Sequence, residues 1–182
     1  MPRVCVLLAD GFEEIEAVTV IDVLRRAEVE VVTLGVTGDE VRGSHDVVLR
    51  ADGILNDHAD GEWDVVILPG GLPGSTNLRD HPAVQELIRR QNARAGRIAA
   101  ICAAPIALAA AGVLEGKRVT SYPGLEDQLP GASYREENVV VDGNVVTSRG
   151  VGTALEFALK LVGDLRGAKV AESLRKGMLV SP

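Results

Sequence analysis

The residue best suited to chemistry in this chain is Cys102, which lies in the stretch IAAICAAPIALAAAG, residues 98–112. A free cysteine is often a buried core residue, and composition alone favours that interpretation. The position of Cys102 favours a different interpretation, a cysteine at a strand-to-helix turn. The apolar run RIAAI ends before Cys102, and a helix is predicted to begin near Ala103 or Ala104, with Pro105 in its first turn. Because helix N-termini stabilise anions, we expect a thiolate here with a pKa below the roughly 8.5 of a free cysteine.

Two other segments are expected to meet this cysteine. Glu13, Glu14 and Glu16 follow the first predicted strand, and Gly70 and Gly71 follow a later one. One or two of these glutamates are most simply solvated first-turn charges, but Glu16 stands between apolar neighbours, where an ionised side chain is costly. A protonated carboxyl there would donate a hydrogen bond to the thiolate. The PGGLPG run is either a simple turn or a set of backbone donors for an anion.

Alternating strand and helix patterns must position these residues. Apolar runs predict strands at 4–9, 29–35, 64–68, 97–101, 117–124 and 144–152, and a hairpin between 35 and 57. Helical patterns cover 13–27, a segment opening near Pro82, a segment after Cys102, and 153–167. This alternation predicts an α/β fold with a doubly wound, mostly parallel sheet sandwiched by helices. The loops that follow parallel strands then share one sheet edge, where such folds bind ligands.

Composition limits the classes of function. The chain has 182 residues, of which 46% are hydrophobic, so we expect a single domain over residues 1–182. The net charge of −7, with acidic and basic residues interspersed, disfavours a nucleic-acid or anionic-membrane surface. Two cysteines make no disulfide framework, and the first residues lack the pattern of a secretion signal. We therefore expect a cytoplasmic protein without a membrane helix, since charges interrupt every apolar run.

Four segments together resemble the DJ-1/PfpI superfamily, and within it the branch of the Parkinsonism-associated protein deglycase. They are LADGFEEIEAVTVIDVLRRA, WDVVILPGG, AAICAAP and TSRGVGTALEFAL, in the family's order and spacing. The resemblance covers nearly the whole chain and implies a flavodoxin-like sandwich that forms a homodimer. It implies an oxidation-prone nucleophile at Cys102, a protonated carboxyl at Glu16, and an oxyanion pocket made by the N–H groups of Gly71 and Ala103. Arg26 matches an arginine that approaches this pocket across the dimer interface.

Some positions depart from the family's pattern. Tyr122 stands where many relatives carry a histidine, so a cysteine–histidine pair is not available there. We expect Tyr122 to line the substrate pocket together with Gly70 and, from the second copy, Arg26. Ala103 follows the cysteine where the PfpI-type proteases have a histidine, which disfavours peptidase chemistry. The histidines present lie in polar stretches, and we expect them at the surface: His45, His58 and His81.

A thiolate, a carboxylic acid and backbone donors can together convert an α-oxoaldehyde into a hydroxy acid. The leading hypothesis is a cofactor-independent enzyme of the glyoxalase III or deglycase type, acting on methylglyoxal, glyoxal or their early protein adducts. The alternative is a redox-sensing or chaperone-like stress protein in which Cys102 is oxidised to a sulfinate without turnover. No phosphate-binding glycine motif follows the first strand, which disfavours a nucleotide or flavin site. Sequence spacing indicates no metal ligands.

Overall fold

In the computed structural model, which describes residues 1–58 and 60–181, strands and helices alternate along the chain. The strands are β1 (Arg3–Leu8), β2 (Glu30–Gly35), β3 (Glu40–Arg42), β4 (Val48–Arg50), β5 (Gly53–Ile54), β6 (Val65–Leu68), β7 (Arg97–Ile101), β8 (Arg118–Val119), β9 (Ser133–Tyr134), β10 (Val139–Asp142) and β11 (Val145–Ser148). The helices are α1 (Glu14–Arg26), α2 (Gly74–Asp80), α3 (Pro82–Ala93), α4 (Pro105–Ala110), α5 (Ala154–Arg166) and α6 (Ala168–Gly177).

A seven-stranded sheet in the order β10-β11-β7-β6-β1-β2-β5 forms the centre of the fold. All its neighbouring pairs are parallel except β10 with β11. The predicted mostly parallel, flavodoxin-like α/β sheet is therefore confirmed. Because β1, β6, β7 and β11 run in the same direction, their carboxyl ends share one edge. That edge places the four segments that follow these strands side by side.

Helices cover both faces of the sheet, and the alternation of side chains along β1 shows why. Val4 and Val6 point into a core shared with α1 and α5, whereas Cys5 and Leu7 point into a second core shared with α2, α3 and α4. Cys5 is fully buried, and burial raises the pKa of its thiol. Cys5 is therefore a packing residue that stays protonated.

Several elements differ from the sequence prediction, among them β9 and β10, which no predicted strand covers. The strand expected within 117–124 is only β8, and it pairs with β9 outside the main sheet. Helix α2 was not predicted, because the Gly and Pro residues before it indicate a turn. Helix α6 was missed as well, since Gly167, with a φ of 92°, ends α5 and α6 begins at the next residue. The hairpin expected between 35 and 57 is confirmed as β3 and β4.

Along the described residues, none of the helices combines the length and apolar character that a membrane crossing requires.

Candidate active site

Cys102 lies at a sharp turn between β7 and α4, where the sequence predicted it. Its φ is +63°, a left-handed conformation that costs a residue with a side chain about 1–2 kcal/mol. Two backbone hydrogen bonds hold it there: its N–H donates to Ser148 O (3.0 Å), and its carbonyl accepts from Tyr122 N (2.8 Å). Backbone strain maintained by surrounding structure in this way is common at functional sites.

Glu16 is the buried acid of the site. It lies in the first turn of α1 with no exposed surface, and its Oε2 accepts a hydrogen bond from Gly70 N (2.9 Å). Its other oxygen, Oε1, is buried and has no hydrogen-bond partner among the described residues. Glu13 fixes the start of this helix, since its Oε2 accepts from Glu16 N (2.8 Å) and its own N–H donates to Gly70 O (2.8 Å).

Gly70 separates the thiol from the acid, and only a glycine fits. A Cβ at this position would lie 2.5 Å from Cys102 Cβ and 2.6 Å from Glu16 Oε2. Because carbon atoms pack at about 3.5–4.0 Å, the missing side chain is what lets the three residues approach each other. The loop after β6 is thus fitted to both the nucleophile and the acid.

Burial dominates the electrostatics of the pair. It raises the pKa of Glu16 to about 7, against the hydrogen bonds from Cys102 and Gly70 that lower it. Burial and the nearby Glu16 carboxylate raise the pKa of Cys102 to about 12. The expectation of a Cys102 pKa below 8.5 was wrong, because desolvation and the Glu16 charge outweigh the backbone N–H groups of Gly71 and Ala103. The two groups titrate as a pair that holds one proton across neutral and alkaline pH.

Two backbone N–H groups lie close to the Cys102 sulfur. Those of Gly71 and Ala103 interact with the Cys102 sulfur and lower its pKa against burial. Neither N–H donates to a backbone carbonyl anywhere in the described part of the chain. Gly71 has a φ of +89°, and a Cβ there would lie 2.4 Å from Glu13 N, so this position also requires glycine. Two such donors beside a sulfur can stabilise an oxyanion formed at that point.

Of two other predicted pocket residues, Tyr122 adjoins the site and Arg26 lies away from it. Tyr122 is 55% exposed and adjoins the site through its N–H, which donates to Cys102 O. Arg26 lies ten residues after Glu16 on α1, about 15 Å further along the helix axis, and pairs with Asp22 on the surface. The single chain therefore does not bring Arg26 to Cys102.

Beside this site lies a cluster that no sequence pattern indicated. Glu13 and Glu14, expected to include solvated charges, are only 8% and 7% exposed. The turn between β3 and β4 covers Glu14, which accepts hydrogen bonds from both His45 N (2.6 Å) and His45 Nδ1 (2.8 Å). These bonds outweigh burial and lower the pKa of Glu14 to about 2. His45 is exposed, as predicted, but His58 and His81 are half-buried.

The fold and the site define an α/β protein built around a cysteine at a strand-to-helix turn, beside a buried carboxyl. The model of the DJ-1/PfpI family matches residues 2–164, and the chain belongs to this family. The Parkinson disease protein 7 homolog of Danio rerio is 46% identical over 98% of this chain and 97% of its own. The glutathione-independent glyoxalase DJR-1.2 of Caenorhabditis elegans is 37% identical over 93% and 91%. The crystal structure of Drosophila melanogaster DJ-1beta superposes with a TM-score of 0.97 at 45% identity, covering 100% and 99% of the two chains.

Proposed function

We propose that this protein is a cofactor-independent glyoxalase that converts α-oxoaldehydes such as methylglyoxal and glyoxal into hydroxy acids. The observation that carries the proposal is that Cys102 and Glu16 both lie against Gly70, beside the Gly71 and Ala103 N–H groups, which donate to no backbone carbonyl among the described residues. A nucleophile, a proton carrier and oxyanion donors are the three parts that aldehyde conversion through a hemithioacetal requires. The Caenorhabditis elegans relative named a glutathione-independent glyoxalase supports this assignment.

The first step forms a carbon–sulfur bond. Cys102 Sγ attacks the aldehyde carbon, and the thiol proton passes to the Glu16 carboxylate. Oε1 is the atom suited to receive that proton, because Gly70 already holds Oε2. The carbonyl oxygen becomes an alkoxide that the N–H groups of Gly71 and Ala103 stabilise, and Glu16 then protonates it to the hemithioacetal.

The next steps move a hydrogen between the two substrate carbons. The Glu16 carboxylate removes the proton from the carbon bonded to sulfur, and the resulting enediol is reprotonated on the neighbouring carbon. This transfer oxidises the first carbon to a thioester and reduces the second to an alcohol, so no external oxidant or reductant is needed. Water hydrolyses the thioester, which releases lactate from methylglyoxal and restores the Cys102 thiol. Early aldehyde adducts of proteins, which carry the same reactive carbon, form the second substrate class of the proposal.

Lactate formation from methylglyoxal tests this function. Cys102→Ala is expected to abolish turnover, and Glu16→Gln to lower kcat by about 10²–10⁴-fold, the usual contribution of a general acid–base group. Cys5→Ala and Glu86→Gln serve as matched controls, since Cys5 is the buried packing cysteine and Glu86 is an exposed carboxylate on α3. Turnover that persists in Cys102→Ala contradicts the proposal.

A redox-sensing function is the second candidate, and the backbone N–H groups beside the Cys102 sulfur favour it as well. The N–H groups of Gly71 and Ala103 would hold a sulfinate oxygen as well as an alkoxide, and Cys102 is partly exposed. Under mild peroxide the protein would then gain two oxygens on Cys102, measured by mass spectrometry. Oxidation with no lactate formation from the reduced protein favours the sensor, and lactate formation favours the enzyme.

We also propose that the chain acts as a homodimer through α1 and the β3–β4 hairpin. Ile15 and Val18 on α1 are 55% and 44% exposed, and Val47 and Val48 on the hairpin are 48% and 46% exposed. An apolar surface of this kind marks an interaction site, and only a second copy can bring Arg26 near Cys102. Sedimentation is expected to give twice the chain mass of 19.2 kDa. Monomers that persist at micromolar concentration contradict the dimer.

A further inference from the structure

The residues Glu13, Glu14 and His45 form a cluster that the glyoxalase mechanism does not use. The two glutamates come from the start of α1, and His45 comes from the turn between β3 and β4, more than thirty residues later. One ligand atom from each residue lies within 4.8 Å of the other two. The cluster therefore unites the types of side chain that bind divalent transition metals, namely an imidazole and carboxylates.

The hydrogen bonds within the cluster leave one carboxylate oxygen without a donor. Glu14 is held by His45, whereas Glu13 uses its Oε2 to cap the Glu16 N–H. Glu13 Oε1 points at His45 Nδ1 from 3.9 Å, too far for a hydrogen bond, and no other donor in the described part of the chain reaches it. Glu13 is only 8% exposed, so a cation bound to this oxygen would compensate a charge that is largely withdrawn from water.

The backbone around the cluster is shaped for the Glu14 carboxylate. A Cβ at Gly43 would lie 2.3 Å from Glu14 Oε1 and 2.5 Å from its Cγ, so the glycine provides the space in which this side chain lies. In the single chain the adjacent His45 side chain is 73% exposed, so its ring can adjust there and solvent reaches one side of the cluster. Two fixed carboxylates and one adjustable imidazole are thus directed to a common point.

We propose that Glu13 Oε1, Glu14 Oε2 and His45 Nδ1 bind a divalent transition-metal ion of the zinc type. Zinc lies about 2.0–2.2 Å from such ligands, and tetrahedral ligands are then about 3.3–3.5 Å apart. The distances from His45 Nδ1 to Glu14 Oε2 (2.8 Å) and to Glu13 Oε1 (3.9 Å) fall on either side of that value. Movement of the exposed ring towards Glu13 would bring both distances closer to that value, and water would supply the fourth ligand.

This site is separate from the thiol site. The glyoxalase residues Cys102 and Glu16 contribute no ligand to it, and the connection between the two sites is Glu13, whose second oxygen caps α1. A bound ion would tie the β3–β4 hairpin to the start of α1 more firmly than the present hydrogen bonds do. Zinc binding is therefore expected in a protein that lacks the thiol.

Isothermal titration of the full-length Cys102→Ala protein with zinc chloride tests the proposal, because the substitution removes the thiol as a competing ligand. One zinc ion per chain is expected to bind. His45→Ala and Glu13→Gln in this background should each weaken binding at least about tenfold, since even indirect partners of metal ligands contribute that much. His58→Ala is the matched control and should bind like its parent. Excess magnesium should not compete, because it prefers oxygen ligands.

Two further readouts distinguish this site from a structural effect of the substitutions. Zinc should raise the Tm of the Cys102→Ala protein, and at the same zinc concentration it should raise the Tm of the His45→Ala, Cys102→Ala protein by clearly less. Cobalt in place of zinc should give the visible absorption of a nitrogen and oxygen ligand set, with no thiolate charge-transfer band in the wild type. Absent zinc binding overturns the proposal, as does binding that His45→Ala leaves intact or that requires Cys102.

Discussion

The Gly70→Ala substitution tests whether the loop after β6 sets the geometry of the thiol and the acid. The added Cβ would lie 2.5 Å from Cys102 Cβ, 2.6 Å from Glu16 Oε2 and 2.8 Å from Ile101 O. Two of these atoms belong to the β7 backbone or to the strained turn after it, and the third is on a fully buried side chain. None of them can move away without cost, so the loop itself must shift.

The shift has consequences for stability and for activity. Overpacking of this kind costs about 1–3 kcal/mol, which for a chain of 182 residues corresponds to a fall in Tm of roughly 2–12 °C. A loop displaced by about 1 Å also moves the Gly70 N–H that holds Glu16 and the Gly71 N–H that faces the sulfur, and misplacement by that distance costs about 10²-fold in rate. We expect kcat/KM for methylglyoxal to fall by about that factor.

The assay compares Gly70→Ala with Gly38→Ala by lactate formation and thermal unfolding. Gly38 is the matched control because a Cβ there meets nothing within 4 Å and its φ is not left-handed. Gly38→Ala is expected to keep wild-type activity. If Gly70→Ala retains its kcat/KM within twofold and its Tm within a degree, Gly70 does not set the geometry of the pair and the reasoning is refuted.

Three other predictions follow from the site. In buffer with EDTA, kcat/KM should rise with pH through about 7, because the Cys102–Glu16 pair must lose one proton to act. Glu16→Gln should remove that inflection. A wild-type profile that is flat from pH 5 to pH 9 would contradict this prediction. Glu14 has a folded-state pKa near 2, below its usual 4.5, so it stabilises the protein above about pH 4.5 and loses this effect as pH falls towards 2. Glu14→Gln should therefore lower unfolding free energy by about 1.5–3 kcal/mol at pH 7 and by much less near pH 2, as denaturant titrations would show. Tyr122→Phe should change kcat by less than about threefold, because the Tyr122 hydroxyl has no hydrogen-bond partner among the described residues; a hundredfold loss would show that the phenol takes part.

The nucleophile and the acid could be identified from sequence because local patterns fix them. Strand-to-helix transitions place Cys102, Glu16 and Gly71 at the carboxyl ends of parallel strands, and a parallel sheet brings those ends together whatever the details of packing. The odd position of Glu16 among apolar residues was itself a signal of burial. The same reasoning located the hairpin between 35 and 57, which is bounded by strand and turn patterns.

Properties that depend on how separate elements dock could not be predicted in this way. His45 lies 31 residues after Glu14, and no sequence pattern states that the hairpin turn folds back over the start of α1. The prediction of the Cys102 pKa was wrong for a similar reason. The sequence indicates a helix N-terminus, but it does not indicate how closely α1 and the loop after β6 pack around the sulfur. The desolvation of a side chain depends on neighbours from several segments of the chain, whereas a helix dipole depends on one helix alone.

Glu13 connects the thiol site to the proposed zinc site, because each of its carboxylate oxygens serves one of them. Its N–H holds Gly70 O, its Oε2 holds Glu16 N, and its Oε1 faces His45. The negative charge of Glu13 raises the pKa of Glu16, although less than burial does. Glu13→Gln keeps a side-chain oxygen that can accept from Glu16 N but removes the charge, so it separates these roles. Zinc binding should weaken while the fold and the geometry of Cys102 persist, whereas Glu13→Ala should also loosen the first turn of α1.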